Sequence, residues 1–202
     1  IAGGGVAGLA AARALRLRSL PVSLVYASTS GVYGDCAGAL VAETRTVAPG
    51  TPRAQRRVNA ERAVRHLGRA GVRTSILRIP GIYAPDREGG TPRARLRKRT
   101  PVLQTADDVY TNHIHADDLA RACLAALWRG KPQRVYNVSD ASAMKMGDYF
   151  DLAADLYGLP RPPRVPRSTA QDALPVMLLS FMSESRRLDN HRLLDELGLR
   201  LR

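Results

Sequence analysis

The sequence predicts an α/β domain built on a parallel sheet with helices on its faces. Three observations carry that expectation. Short apolar runs suited to buried strands alternate with longer stretches of helical periodicity. The alternation comes in units of roughly thirty residues or more, the length that a crossover between parallel strands needs. Glycine and proline punctuate most of the boundaries.

The elements follow in order. Residues 6–18, VAGLAAARALRLR, have the Ala/Leu/Arg content of a helix. VSLVYAS at 22–28 is a buried strand. A loop runs through VAPGTP at 47–52, and residues 53–67 then carry Val58, Ala60, Ala63, Val64 and Leu67 as a helical stripe that Gly68 and Gly71 end. VRTSILRIP at 72–80 is the next strand, stopped by Pro80. Asp117 can cap the helix DLARACLAALWR, with Gly130 and Pro132 beyond its end. RVYNVS at 134–139 is a third strand, and 146–157 is helical before Gly158. LPRPPRVPR at 159–167 is a proline-rich connector, and a last short helix runs from Asn190 to Gly198.

Composition narrows the class. A chain of 202 residues with 45% hydrophobic residues can build one domain with a real core. No apolar run approaches the length of a membrane span. The first residue is Ile1, and no signal-peptide pattern follows, so a longer parent chain is expected. Cys36 and Cys123 are too few for a disulfide framework, which makes a reducing cytoplasm the expected setting. The net charge of +13 raises nucleic acid as a partner. Yet Lys98, Lys131 and Lys145 are the only lysines, the arginines are scattered, and the densest run, RARLRKR at 93–99, has no interleaved aromatics. Nucleic acid is therefore the weaker expectation. His113 and His115 could share a strand face, but nothing at suitable spacing completes a metal site, so none is expected.

VYASTSGVYGD at 25–35 is the stretch that carries chemistry. It sets Ser28, Thr29 and Ser30 at the carboxyl end of a strand, where such folds hold their ligands. The bland alternative, a Ser/Thr turn that satisfies only backbone groups, stays open from position alone.

This stretch, with Glu43 and a helix bearing Glu61 after it, resembles the extended short-chain dehydrogenase superfamily, the NAD-dependent epimerase/dehydratase group. SILRIPGIYAP at 75–85, NHIHADDLARA at 112–122, VYNVSD at 135–140 and SRRLDNHRLLDELG at 185–198 are similar to further family segments in the same order. The resemblance implies a Rossmann-like parallel sheet over 1–140, incomplete in its N-terminal half, and a small C-terminal substrate lobe over 141–202. It implies NAD or NADP as cofactor, with Ser28 and the Pro80–Gly81–Ile82 loop beside the nicotinamide ribose. It also implies a small, nucleotide-linked substrate met by Ser30, Arg186 and Arg187, with association into a homodimer left open.

Thr29 takes the place of the family's catalytic hydroxyl. The family's Tyr acid/base and its Lys, four residues apart, fall on Arg53 and Arg57 when Glu61 is the anchor. A guanidinium stays protonated, so Arg53 cannot act as a base, although its fork suits a phosphate or carboxylate. Arg57 could supply the fixed charge and ribose hydrogen bonds of the Lys. Both could equally form a surface stripe with Glu61. Tyr33 is the nearest other phenol, with a packed loop aromatic as its alternative. Gly3, Gly5 and Gly8 match a dinucleotide-loop spacing, but only Ile1 and Ala2 precede Gly3, so the strand that should feed the loop is missing. The leading expectation is an NAD(P)-dependent oxidoreductase or epimerase/dehydratase-like protein. The alternatives are a catalytically silent dinucleotide-sensing or interaction protein and a basic nucleic-acid binder.

Overall fold

The structure is a computed structural model that describes residues 6–17 and 22–202. In chain order its elements are α1 (Val6–Leu17), β1 (Ser23–Thr29), a 3-10 turn (Ser30–Tyr33), β2 (Leu40–Val41), α2 (Pro52–Arg69), β3 (Arg73–Ile79) and β4 (Gly81–Tyr83). Then come α3 (Arg93–Arg97), β5 (Val102–Leu103), β6 (His113–His115), α4 (Ala116–Trp128), β7 (Arg134–Asn137) and α5 (Met146–Tyr157). The chain ends with β8 (Arg164–Val165), α6 (Arg167–Ala173), α7 (Val176–Met182), β9 (Arg187–Leu188) and α8 (His191–Asp195).

The α/β expectation holds. The central sheet among the described residues is parallel, in the order β1–β3–β7, with Thr29 opposite Ile79 and Arg78 opposite Asn137. The alternation of side chains splits β3 between two apolar layers. Ile76 packs with Tyr26, Val64 and Val135 on the α2 side, and Leu77 and Ile79 pack with Ala122 and Ala126 of α4 on the other. Each such side chain removed from water contributes about 1.5–3 kcal/mol. Helix α2 forms because Thr51 accepts a hydrogen bond from the Ala54 amide at its start, Pro52 occupies the first turn, and Ala54, Val58, Glu61, Val64 and Gly68 make the inward stripe.

Four details depart from the sequence reading. The cap of α4 is His115, whose ring nitrogen accepts from the Asp117 amide, while Asp118 is buried and takes Arg121. The proline-rich connector contains β8, which pairs with β5. The last helix is shorter than expected, with Asn190 preceding its first turn. The lobe does not begin at residue 141 and run to the end. Its core joins Leu96, Val102, Leu103 and Val109 to Phe150, Ala154, Leu174 and Met182. Residues beyond it return to the sheet: β9 pairs with β2, and Leu193, Leu197 and Leu199 pack with Leu77 and Tyr136. Two-residue strands and long-range packing leave no periodicity to read, so the sequence could not locate that return.

The 3-10 turn after β1 is fixed by Gly34, which has φ +65° and whose missing Cβ would lie 2.1 Å from the Ala48 carbonyl oxygen. That close approach ties the turn to the loop before α2, which shapes one wall of a cleft. No helix among the described residues is long and apolar enough to cross a membrane.

Candidate functional site

A cleft of about 540 Å³ opens beyond the carboxyl ends of β1 and β3, between the sheet and the lobe. Thr29, Ser30 and Gly31 form one wall, and Pro80, Gly81 and Ile82 the next. Arg53 comes from the start of α2, Arg95 from α3, His113 from β6, Tyr149 and Phe150 from α5, and Arg186 from the segment before β9.

Pleating decides which hydroxyl faces the cleft. Thr29 ends β1 with extended backbone, and its Oγ1 accepts from the Gly31 amide at 3.2 Å. The hydroxyl proton stays available to a ligand. Ser28 points the other way and donates to Glu61 at 2.6 Å. Glu61 also accepts from Nε and Nη2 of Arg78, at 3.1 and 2.8 Å, with both side chains almost fully buried. Arg78 lies 4.6 Å from the centre of the Tyr33 ring. The Tyr33 hydroxyl donates to Asn137 at 2.7 Å, and burial pushes its pKa up. Asn137 also donates to the carbonyls of Val41 and Asp189. Ser28 and Tyr33 are therefore foundations under the Thr29 tip, outside the cleft itself.

Arg53 and Arg57, which the sequence reading set on one helix face, separate. Arg53, exposed and without an ion pair among the described residues, lines the cleft. Arg57 lies four residues further along α2, about 6 Å down the axis, and donates to the Tyr26 hydroxyl at 3.2 Å. It does not reach the cleft. Arg186 does, while donating to the Gly34 carbonyl and to Glu184. Arg187 instead donates to the Gly38 carbonyl and covers Tyr110. Gly3 and Gly5 lie outside the described residues, and Gly8 falls within α1.

Sequence reasoning missed several groups. His113 sits opposite Gly81 in the β4–β6 pair, and a Cβ at position 81 would stand 3.2 Å from its ring. The ring stacks on Tyr149 with centres 4.2 Å apart. Burial lowers the His113 pKa, which keeps the imidazole neutral near pH 7, and raises that of Tyr149 to about 12. A stacked pair across two distant elements gives no local signal. Arg78 and Asn137 could have been suspected only as polar residues inside apolar strands. Four arginines, Arg53, Arg87, Arg95 and Arg186, face the cleft against one carboxylate, Glu184. The arrangement can hold an anionic ligand and present it with a hydroxyl and a neutral imidazole. Among the described residues no group of three His, Cys, Asp or Glu side chains could hold a metal ion.

Comparison with known proteins bears on the fold. A functionally unknown conserved protein from Silicibacter pomeroyi has a similar structure, with TM-score 0.80 and 34% identity over 97% of this chain and 67% of that one. UDP-glucuronic acid 4-epimerase from Bacillus cereus, solved with NAD, gives TM-score 0.73 at 16% identity, over 99% of this chain and 62% of that one. RMD from Pseudomonas aeruginosa, complexed with NADPH, gives 0.74 at 21% identity, over 98% and 68%. The last two likenesses concern the fold alone. The chain thus spans about two thirds of the length of these relatives. No curated protein matches the sequence. The profile of the NAD dependent epimerase/dehydratase family matches residues 4–139, and the chain belongs to that family.

Proposed function

We propose that the cleft serves an NAD(P)-dependent oxidoreductase of the epimerase/dehydratase type, acting on a small, nucleotide-linked substrate. The observation that carries this is the convergence of Thr29 with the Pro80–Gly81–Ile82 turn and Arg53 around one cleft at the sheet's carboxyl edge. The residues present fit the nicotinamide end of a dinucleotide. Gly81 lets the His113 ring close in on the Pro80–Ile82 turn, and Thr29 brings a hydroxyl proton not used by the Gly31 amide contact to the same cleft. When bound, such a group supplies hydride acceptance and donation. UDP-glucuronic acid 4-epimerase with NAD and RMD with NADPH support the same choice without deciding between the two cofactors.

In this reading Thr29 orients the reacting oxygen of the substrate through its hydroxyl. Arg53 holds an anionic group near it, since a guanidinium positions well but removes no proton. Ser30 and Arg186 bound the substrate side of the cleft. Arg57, Ser28, Tyr33 and Arg187 contact no ligand: they brace the strand end and the loops around it. A cytoplasmic setting and self-association are part of the proposal.

Fluorescence titration with NADH and NADPH tests cofactor binding, and turnover of nucleotide sugars tests the chemistry. Thr29→Ala is expected to leave cofactor affinity within about twofold while lowering turnover about a hundredfold or more. Unchanged turnover in that variant would refute the site. A second reading rests on Arg53 standing where the family has its Tyr: a dinucleotide sensor that binds cofactor without turnover. Tight cofactor binding with no accepted substrate would favour it.

A further inference from the structure

We propose that Arg95 is an anion subsite of this cleft, where an oxyanion of the substrate, phosphate or carboxylate, draws the guanidinium away from Phe150 and pairs with it. The inference rests on the reading that the cleft takes a substrate, and it adds the class: a ligand with an acidic group on the lobe side, opposite Thr29.

The argument begins with α3. Leu96, 1% exposed, anchors this short helix in the lobe core, and Arg95 beside it lines the cleft. The guanidinium rests 4.2 Å from the centre of the Phe150 ring. Its Nε and Nη2 are shut off from solvent, and neither has an acceptor among the described residues. No carboxylate there pairs with it. Burial accordingly lowers the Arg95 pKa, and the only counteracting effect is a smaller one from Tyr149. A buried donor without an acceptor is costly, and a buried unpaired charge more so. Packing alone does not require that charge. A Met side chain would cover Phe150 and spare the desolvation.

A planar fork with idle donors beside an open cleft fits a bidentate oxyanion. Its surroundings fit too, since Arg186 brings a second buried N–H without an acceptor, its Nε, to the same cleft. In the free protein the guanidinium is retracted onto Phe150. The arriving anion supplies the missing acceptors, and the relief of the idle donors adds to the affinity.

The probes are UDP for phosphate and glucuronate for carboxylate, with uridine and glucose as uncharged controls. Calorimetry and thermal melting are applied to the wild type, Arg95→Met and Arg95→Lys, with NADH titrated in parallel. At least one anion is expected to bind the wild type and raise its melting temperature, with neither control doing so. Affinity should fall about tenfold or more in Arg95→Met, and partly recover in Arg95→Lys. Without ligand, Arg95→Met should melt at or above the wild type, the opposite of what a structural residue does. UDP alone responding identifies the phosphate source, and glucuronate alone the carboxylate. Equal anion affinity in Arg95→Met and the wild type overturns the proposal, as does failure of both anions to bind the wild type, or a marked loss of melting temperature in free Arg95→Met. Arg95-dependent anion binding without NADH binding keeps this subsite and removes the dinucleotide reading. NADH binding with Arg95-independent anion binding does the reverse.

Discussion

Arg78 is buried under the sheet edge, Arg95 is half-buried in the lobe wall with its Nε and Nη2 shut off from solvent, and the two are treated in opposite ways. Arg78 has Nε and Nη2 on Glu61, Nη1 on the Glu43 carbonyl, an aromatic face against it, and Ser28 sharing the same carboxylate. Arg95 has an aromatic face and, among the described residues, no acceptor for its Nε and Nη2. A fully satisfied buried charge fixes geometry: here it locks strand β3 to helix α2 and so holds the tip that carries Thr29. A buried charge left unsatisfied is a cost with no structural return, which is how groups held for a ligand look in the free protein.

The contrast can be broken most forcefully at Glu61. Glu61→Ala leaves Arg78 buried and unpaired and should cost about 3–5 kcal/mol in urea unfolding. Replacing the pair together, Glu61→Leu with Arg78→Met, should cost less than Glu61→Ala alone. A double variant that is worse would mean the pair stabilises beyond its own pairing. Next is Asn137→Leu, which strips partners from the Tyr33 hydroxyl and from the carbonyls of Val41 and Asp189. It should cost about 2–3 kcal/mol by the same measurement.

A smaller effect distinguishes buried from rim pairing. Arg134 and Lys131 hold Glu196 at the protein's rim and bring its pKa from 4.5 to about 2. A depressed carboxylate contributes stability that is complete above its ordinary value and fades as the pH falls toward the folded one. That contribution, about 1 kcal/mol after solvent screening, should therefore be present at pH 6 and disappear between roughly pH 4.5 and 2. Glu196→Gln should flatten the stability curve in that window, and an unaltered acid limb would show that the pair is idle. The smallest change is expected for Arg95→Met in the ligand-free protein, zero or a gain in melting temperature.

Much of the fold could be read from the sequence because helices announce themselves. The stripe Val58, Val64 and Leu67 and Gly71 beyond α2 are local signals, and the observed Pro52–Arg69 starts one residue before the expected 53–67 and runs on through Gly68, which packs inward instead of ending the helix. Strands β1, β3 and β7 were legible as apolar runs, but β2, β4, β5, β6, β8 and β9 are two or three residues long and exist only through pairing with distant partners. The site was half legible. Position at a strand end drew attention to Thr29 and Ser30, and the family resemblance added the Pro80–Ile82 turn. Spacing put Arg53 and Arg57 on one helix face, yet one turn of rise takes Arg57 to Tyr26 and away from the cleft. Ser28 and Thr29 were adjacent candidates, and the pleat sends them to opposite sides. Arg95 was visible only as part of a basic run, since what sets it apart is an absence of partners that no sequence displays.

The return of the chain after the lobe shapes how the molecule can be assembled. The sheet face around Leu77 and Tyr136 is sealed by Leu193, Leu197 and Leu199, and the Arg202 amide bonds to Asp118 at 3.1 Å. During synthesis that face must wait, greasy and uncovered, until residues 191–202 leave the ribosome. These leucines act as a latch, and a chain without them would carry an open, sticky flank however well its earlier segments had folded.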